Sequence, residues 1–289
     1  MGVPQSFQVF VVSLDRATQR RAHMKKLLDD VGFEATFVSA VDGRSLRPDQ
    51  RARYDGSRAR QVYGCDMTDN EIACYLSHIS VYERMLEEKV ETALVLEDDI
   101  SCVPDLRAVV EKVLSLPRAS WQVIRLQSTK SSVSRPTCEL TRGSPVAAAG
   151  DREIVRLRTG VLGGCAYLIQ LSAAAAMLAR SQRIVMPIDQ TLDRYWENGI
   201  VPYIVRPLPV WHEDIFVSEI GPRGRQVHRV RHSTLIRRRL QRIKDSANKR
   251  IFWLAFHIPS LGALMASLGV PSARMAMRAL WGPSALQES

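Results

Sequence analysis

Ala93-Leu94-Val95-Leu96 carries no charge on either of its alternating faces, and it runs straight into Glu97-Asp98-Asp99-Ile100. A short apolar run bounded by charge reads as a buried strand, so the chain has to supply cover for it. That demand points to an open α/β sheet, in which ligands bind just beyond the carboxyl ends of the strands. Three carboxylates delivered to such a point suit a hard cation, Mg²⁺ or Mn²⁺, which is commonly held by one or two protein carboxylates and the oxygens of a substrate phosphate. A solvated acidic turn is the plainer alternative.

The flanking sequence alternates as that fold requires. Phe7–Leu14 is a β-rich run ending in Asp15-Arg16, and Ala17–Val31 follows with Ala22, Leu27, Leu28 and Val31 at near-helical spacing, closed by Gly32. Ala35–Val41 makes a second strand that ends at the turn Asp42-Gly43, so the chain opens with a βαβ unit of the nucleotide-binding kind. Residues 44–66 show little periodicity and read as a surface excursion near the site. Thr68 then starts a helix with Glu71 in capping-box spacing, and Ile72, Tyr75, Leu76, Ile79, Tyr82 and Met85 form its sheet-facing side.

Beyond the carboxylates, a helix is expected over Pro104–Leu116 and a strand over Trp121–Leu126. The 28 residues Gln127–Ile154, rich in Ser, Arg, Gly and Pro, read as a lid or substrate loop. A strand over Gly160–Gln170, a helix over Leu171–Arg180 capped by Ser172, a helix over Gln190–Asn198 and a strand over Ile200–Val210 complete the body, which closes near residue 222.

The formal charge of +10 suggests nucleic acid until it is divided along the chain. Residues 1–220 hold 27 Lys and Arg against 28 Asp and Glu, whereas residues 221–289 hold 13 against 2. A body without a basic field and a concentrated basic tail argue against a nucleic-acid fold and for a tail that meets a polyanionic surface. The five cysteines, at 65, 74, 102, 138 and 165, are odd in number and lack CxxC spacing, so they read as reduced thiols in or near the core of a cytoplasmic protein. Gly2 fits a myristoylation signal, while the secretory pattern of basic and apolar segments is not visible. Neither a P-loop nor GxGxxG follows the first strand, which counts against an NTPase or a dehydrogenase.

Individual residues carry paired readings. Asp189, after Val185-Met186-Pro187-Ile188, is either a helix N-cap or a general base at a cleft. His212, beside Glu213 and Asp214, is either a hydrogen-bonded structural histidine or a metal ligand. His78 reads as a satisfied near-core histidine, and Gly163-Gly164 permits close approach of a ligand to the backbone.

Four segments, in this order, are similar to glycosyltransferase family 25, proteins of bacterial lipooligosaccharide biosynthesis whose relatives include collagen galactosyltransferases. They are Val11–Ala17 with Arg20-Arg21; Ala40-Val41-Asp42-Gly43; Glu71–His78; and Ala93–Asp99. Pro187-Ile188-Asp189 and Ser218-Glu219-Ile220 fit the later pattern, whereas Ala73 stands where the family usually has Gly. The resemblance implies a GT-A-like α/β fold over 1–222, with a Rossmann-type mixed sheet flanked by helices. It also implies a UDP-hexose donor, galactose foremost, and a divalent cation, Mn²⁺ or Mg²⁺. Glu97-Asp98-Asp99 becomes the DxD-like element, with Glu in the first place. The implied metal ligands are Glu97, Asp99 and His212; the implied nucleotide-sugar contacts are Ser13, Leu14, Asp15, Arg16, Arg21, Asp42, Asp98 and Gly164. The family is regarded as inverting, which asks for a single base, Asp189, and a saccharide or glycolipid acceptor. A carbohydrate-recognition scaffold without turnover and a carboxylate-metal phosphohydrolase are the rival classes.

In the tail, 223–289, Ile236, Leu240, Ile243, Ala247, Ile251 and Leu254 make one helical stripe, with Arg237, Arg238, Arg239, Arg242, Lys244, Lys249 and Arg250 on other faces. That pattern suits a helix lying in the anionic inner face of the cytoplasmic membrane. The 20 uncharged residues Ile251–Val270 are long enough to span a bilayer, but His257-Ile258-Pro259-Ser260 and two glycines favour two interfacial segments.

Overall fold

The computed structural model describes residues 6–129, 143–213 and 232–281. Its strands are β1 (Phe7–Ser13), β2 (Thr36–Ser39), β3 (Thr92–Glu97), β4 (Ile100–Cys102), β5 (Val123–Arg125), β6 (Gly143–Ala149), β7 (Arg152–Leu157), β8 (Ala166–Gln170), β9 (Pro202–Arg206) and β10 (Val210–His212). The helices are α1 (Thr18–Asp30), α2 (Pro48–Ala52), α3 (Gly56–Val62), α4 (Asp69–Glu87), α5 (Leu106–Leu114), α6 (Leu171–Arg180), α7 (Ile188–Leu192), α8 (Tyr195–Asn198), α9 (His232–His257), α10 (Pro259–Ser267) and α11 (Pro271–Trp281).

Eight strands form one mixed sheet in the order β2-β1-β3-β8-β5-β9-β7-β6, and β10 pairs antiparallel with β4 in a small second sheet. The β1, β2 and β3 strands are parallel, and β8 turns the direction against both β3 and β5. The β3 strand is sandwiched as its sequence demands. Leu94 and Leu96 join one core cluster with Met24 and Leu28 of α1, while Ala93 and Val95 join the other with Ile72, Leu76 and Ile79 of α4. The capping box of α4 is present: Glu71 Oε2 accepts from the Thr68 amide at 2.8 Å, and Thr68 Oγ1 accepts from the Glu71 amide at 3.2 Å.

Several expectations change: the strand expected over 160–170 is confined to β8, and the one expected over 200–210 divides into β9 and the start of β10. Residues 44–66 contain the helices α2 and α3 rather than an irregular excursion, because Asp55 caps α3 and Pro48 starts α2. The second half of the expected 127–154 loop is the β6–β7 hairpin at the sheet edge; residues 130–142 lie outside the described residues. Ser172 caps nothing, since α6 begins one residue earlier with Gln170 at its N-cap. The expected 190–198 helix is two short ones, interrupted at Asp193-Arg194.

The C-terminal segment does not stand apart. Phe252, Ala255 and Phe256 of α9, Ala266 of α10 and Ala273, Ala276 and Met277 of α11 share the core cluster of Tyr195, Trp196 and Tyr203. Among the described residues, no helix is long and apolar enough to cross a membrane.

Candidate active site

The parallel register of β1 and β3 places Val12 beside Glu97, so Ser13 arrives next to Asp98. The β4–β10 register sets His212 against Ile100, one residue from Asp99, and the Glu213 amide donates to the Asp99 carbonyl at 2.8 Å. Strand ends alone therefore bring Ser13, Leu14, Glu97, Asp98, Asp99, His212 and Glu213 onto one cavity of about 330 Å³, with Asp42 and Gly43 on its rim. That volume falls within the range of ligand clefts, roughly 300–1,000 Å³.

Strand pleating sends the consecutive carboxylates to different partners. Glu97 follows Val95 onto the α4 side, where its Oε1 lies 3.3 Å from His78 Nε2 and 4.0 Å from Cys74 Sγ. Those three donor atoms all lie within 4.8 Å of one another. Asp98 turns to the α1 side and accepts from Ser13 Oγ at 2.6 Å and from Arg20 at 2.9 Å. Burial pushes its carboxyl above the ordinary range against the pull of those two donors. Asp99 lies between Arg20, whose nearest nitrogen is 3.3 Å from Oδ2, and His212, whose Nδ1 is 3.5 Å from Oδ1. Burial alone would raise Asp99, but the His212 and Arg20 charges prevail and hold it low. Asp99, and behind it Cys165, hold the His212 imidazolium up at about 11.

Asp99 Oδ1 is buried and has no hydrogen-bond partner among the described residues. A buried carboxylate oxygen that faces an imidazole nitrogen and has no hydrogen bond fits a divalent cation, because both are ligands for Mn²⁺, and binding there would displace the His212 proton. Asp99 and His212 therefore fit the expected metal role. Glu97 lies with Cys74 and His78, and the donor atoms of these three are close enough together to share a metal ion themselves.

The remaining expected residues divide. Asp42 lies on the rim; the Arg44 amide at 3.0 Å and the Arg16 guanidinium keep its carboxyl low. Asp15 accepts from Ser39 Oγ at 2.7 Å and from Arg21 at 2.8 Å, and Arg21 also packs over the Phe37 ring. Neither Asp15, Arg16 nor Arg21 lines the cavity. Gly164 is not in the cavity lining, and a Cβ there would meet Ile188 and Asp189 only at ordinary contact distance. Asp189 is buried, and its two oxygens already accept from the Gly163 amide at 3.0 Å and the Gln190 amide at 2.8 Å. Pro187, not Asp189, is the α7 N-cap. Ser218-Glu219-Ile220 and Asp214 lie outside the described residues.

Two glycines have steric reasons. A Cβ on Gly43 would sit 2.0 Å from Asn70 Oδ1 and 2.9 Å from the Asn70 Cα, so only glycine lets the Asp42 turn touch the start of α4. Gly163 has φ +90, and a Cβ there would meet Gln127 Oε1 at 2.3 Å. Sequence reasoning missed Arg20 as the carboxylates' counter-charge and Cys74 as a wall residue; His78 is the satisfied near-core histidine expected, bonded to Tyr167 at 2.8 Å, and it also lines the cavity. Cys74 and His78 are four apart on α4, a spacing that sets both on one face; that signal was available.

Residues 7–192 match the family described as "Glycosyltransferase family 25 (LPS biosynthesis protein)". Similar proteins include a "Glycosyltransferase 25 family member" of Drosophila melanogaster, 31% identical over 40% of this chain and 19% of that protein. They also include the "Inactive glycosyltransferase 25 family member 3" of Mus musculus, 28% identical over 70% of this chain and 36% of that protein. "Procollagen galactosyltransferase 2" of Mus musculus is 27% identical over 45% of this chain and 22% of that protein. The chain thus spans well under half the length of these curated relatives. With the matched residues running through β1, the Asp42 turn, α4, the β3 carboxylates and Asp189, the chain belongs to glycosyltransferase family 25.

Proposed function

We propose that this chain is a metal-dependent, inverting hexosyltransferase that moves galactose from UDP-galactose to the saccharide of a bacterial lipopolysaccharide, lipooligosaccharide or related glycolipid. The observation that carries the reading is the buried Asp99 Oδ1, which has no hydrogen bond among the described residues and faces His212 at 3.5 Å, on a cavity lined by three consecutive carboxylates. Asp99 and His212 would hold a divalent cation, which when bound would supply charge compensation to the departing diphosphate. Arg20 holds Asp98 and Asp99 in place between the ends of β1 and β3. Asp42 and the Gly43 backbone offer oxygen acceptors to a nucleoside on the rim.

Inversion requires one carboxylate to take the proton of the acceptor hydroxyl as it attacks the sugar's anomeric carbon. We assign that role to Glu213, which lines the cavity and accepts from Ser101 Oγ through Oε2, in preference to Asp189, which is not in the lining and has both oxygens engaged by backbone amides. In this reading Asp189 is a positioning residue that fixes the Gly163-Gly164 bend.

The test is a screen of UDP-hexoses with Mn²⁺ and saccharide acceptors, read by mass spectrometry of the product. Acceptor-dependent transfer of one hexose supports the reading. Binding without turnover would place this chain with the relatives named inactive, and release of inorganic phosphate would make it a hydrolase.

A further inference from the structure

Surface helices normally bury their apolar stripe and show water their polar side. The first half of α9 does the reverse. Its inward positions are Arg238, Gln241, Asp245 and Asn248, and they are tied to the body by polar contacts. Asp245 accepts from Arg194 at 2.9 Å and from Gln241 at 2.8 Å, and Asn248 accepts from Ser272 at 3.4 Å. Arg238 lies against Gly64 of the α3–α4 connection. The outward positions are Ile236, Leu240 and Ile243, which are 52%, 60% and 66% exposed. The same stripe continues through Ala247 to Leu254 and Ile258, also exposed, while Phe252, Ala255 and Phe256 turn inward to the core.

At roughly 100° per residue, Arg237 and Lys244 fall along one margin of this stripe and Arg239 and Arg250 along the other. All four are exposed. An apolar ridge with bases on both margins matches a bilayer surface: the ridge enters the acyl boundary while the long basic stems reach back to phosphate. A second copy would bring the same basic margins against each other, because Asp245 is the only acid among the residues of α9 and it is already paired. Nucleic acid would satisfy the bases and leave the ridge in water.

We propose that the outward face of α9, with Ile236, Leu240 and Ile243 at its centre, docks the folded protein on an anionic phospholipid surface. The docking stands on the helix alone and is independent of the chemistry assigned to the cavity.

Cosedimentation of the full chain with phosphatidylcholine vesicles, with and without phosphatidylglycerol, tests it. The wild type should bind the anionic vesicles at low salt, lose affinity as salt rises, and bind neutral vesicles weakly. The double variant Leu240→Ser/Ile243→Ser changes only outward side chains, so its circular dichroism and Tm should match the wild type. Its affinity for anionic vesicles should fall by about tenfold or more. Asp99→Asn should bind vesicles as the wild type does, so loss of transfer with vesicle binding retained bears on the cavity alone. Failure of the wild type to sediment with anionic vesicles overturns the proposal. So does undiminished binding by the Ser/Ser variant, a concentration-dependent dimer abolished by the same substitutions, or a shift with DNA in the absence of vesicle binding.

Discussion

Asp99 is the residue whose surroundings say most about chemistry. Its Oδ2 is satisfied by Arg20, and its Oδ1 is buried, without a hydrogen bond among the described residues, and ion-paired with His212 Nδ1 at 3.5 Å. A cation bound there would take the place of the His212 proton as the positive charge opposite Oδ1. Asp99→Asn should therefore abolish Mn²⁺-dependent nucleotide binding in calorimetry and lower kcat/KM by about 100-fold or more. Full transfer without added metal would remove the metal role. The base assignment is tested in parallel. Glu213→Gln should lower kcat by roughly 10²–10⁴-fold with donor affinity kept. Asp189→Asn should act mainly through stability, since the single amide oxygen of Asn cannot replace both carboxylate oxygens that accept from the Gly163 and Gln190 amides. The reverse pattern would return Asp189 to the role first expected of it. The presence of carboxylates at a strand end was legible in the sequence; their partners were not, because Arg20, Cys74 and His78 converge on them across gaps of 19 to 79 residues.

Among the elements, the α4 helix and the Asp42-Gly43 turn act as one unit. Thr68 and Glu71 satisfy two amides at the start of α4, and the same turn of helix presses Asn70 against Gly43. Thr68→Ala should cost about 1 kcal/mol of stability in denaturant unfolding and leave donor affinity nearly unchanged. Gly43→Ala should cost about 1–3 kcal/mol through overpacking and also weaken nucleotide binding, because the displaced turn carries Asp42. Equal donor affinities for Gly43→Ala and wild type would detach this turn from the site. Local signals read well here: capping-box spacing, the Asp-Gly pair and the apolar face of α4 each predicted what the structure contains. They read poorly over residues 44–66 and 143–157, where short helices and an edge hairpin owe their conformation to docking and strand pairing rather than to a long periodic pattern.

On the scale of the whole molecule, composition divides the chain near residue 222 but packing does not. The charge contrast between residues 1–220 and 221–289 is real, and it suggested a body that stands without its tail. Two interleaved periodicities on α9 explain why that inference goes too far. One stripe, Ile236 to Leu254, was visible because it is flanked by bases; the other, Phe252, Ala255 and Phe256, lies about half a turn away and fills the core beside Tyr195. An aromatic stack of Tyr195, Phe252, Trp253 and Phe256, with ring centroids 5.0–6.0 Å apart, joins the helix to the body. Phe252→Ala should therefore cost about 3–5 kcal/mol in denaturant unfolding, as a fully buried aromatic does. Leu240→Ser, twelve residues earlier on the outward stripe, should stay within about 0.5 kcal/mol of wild type. Truncation after residue 222 should lower Tm and expose the surface around Tyr195, Trp196 and Tyr203, rather than yield an intact soluble enzyme. If the truncated protein instead unfolds in urea with the midpoint and m-value of the full chain, the C-terminal helices contribute nothing to the common core.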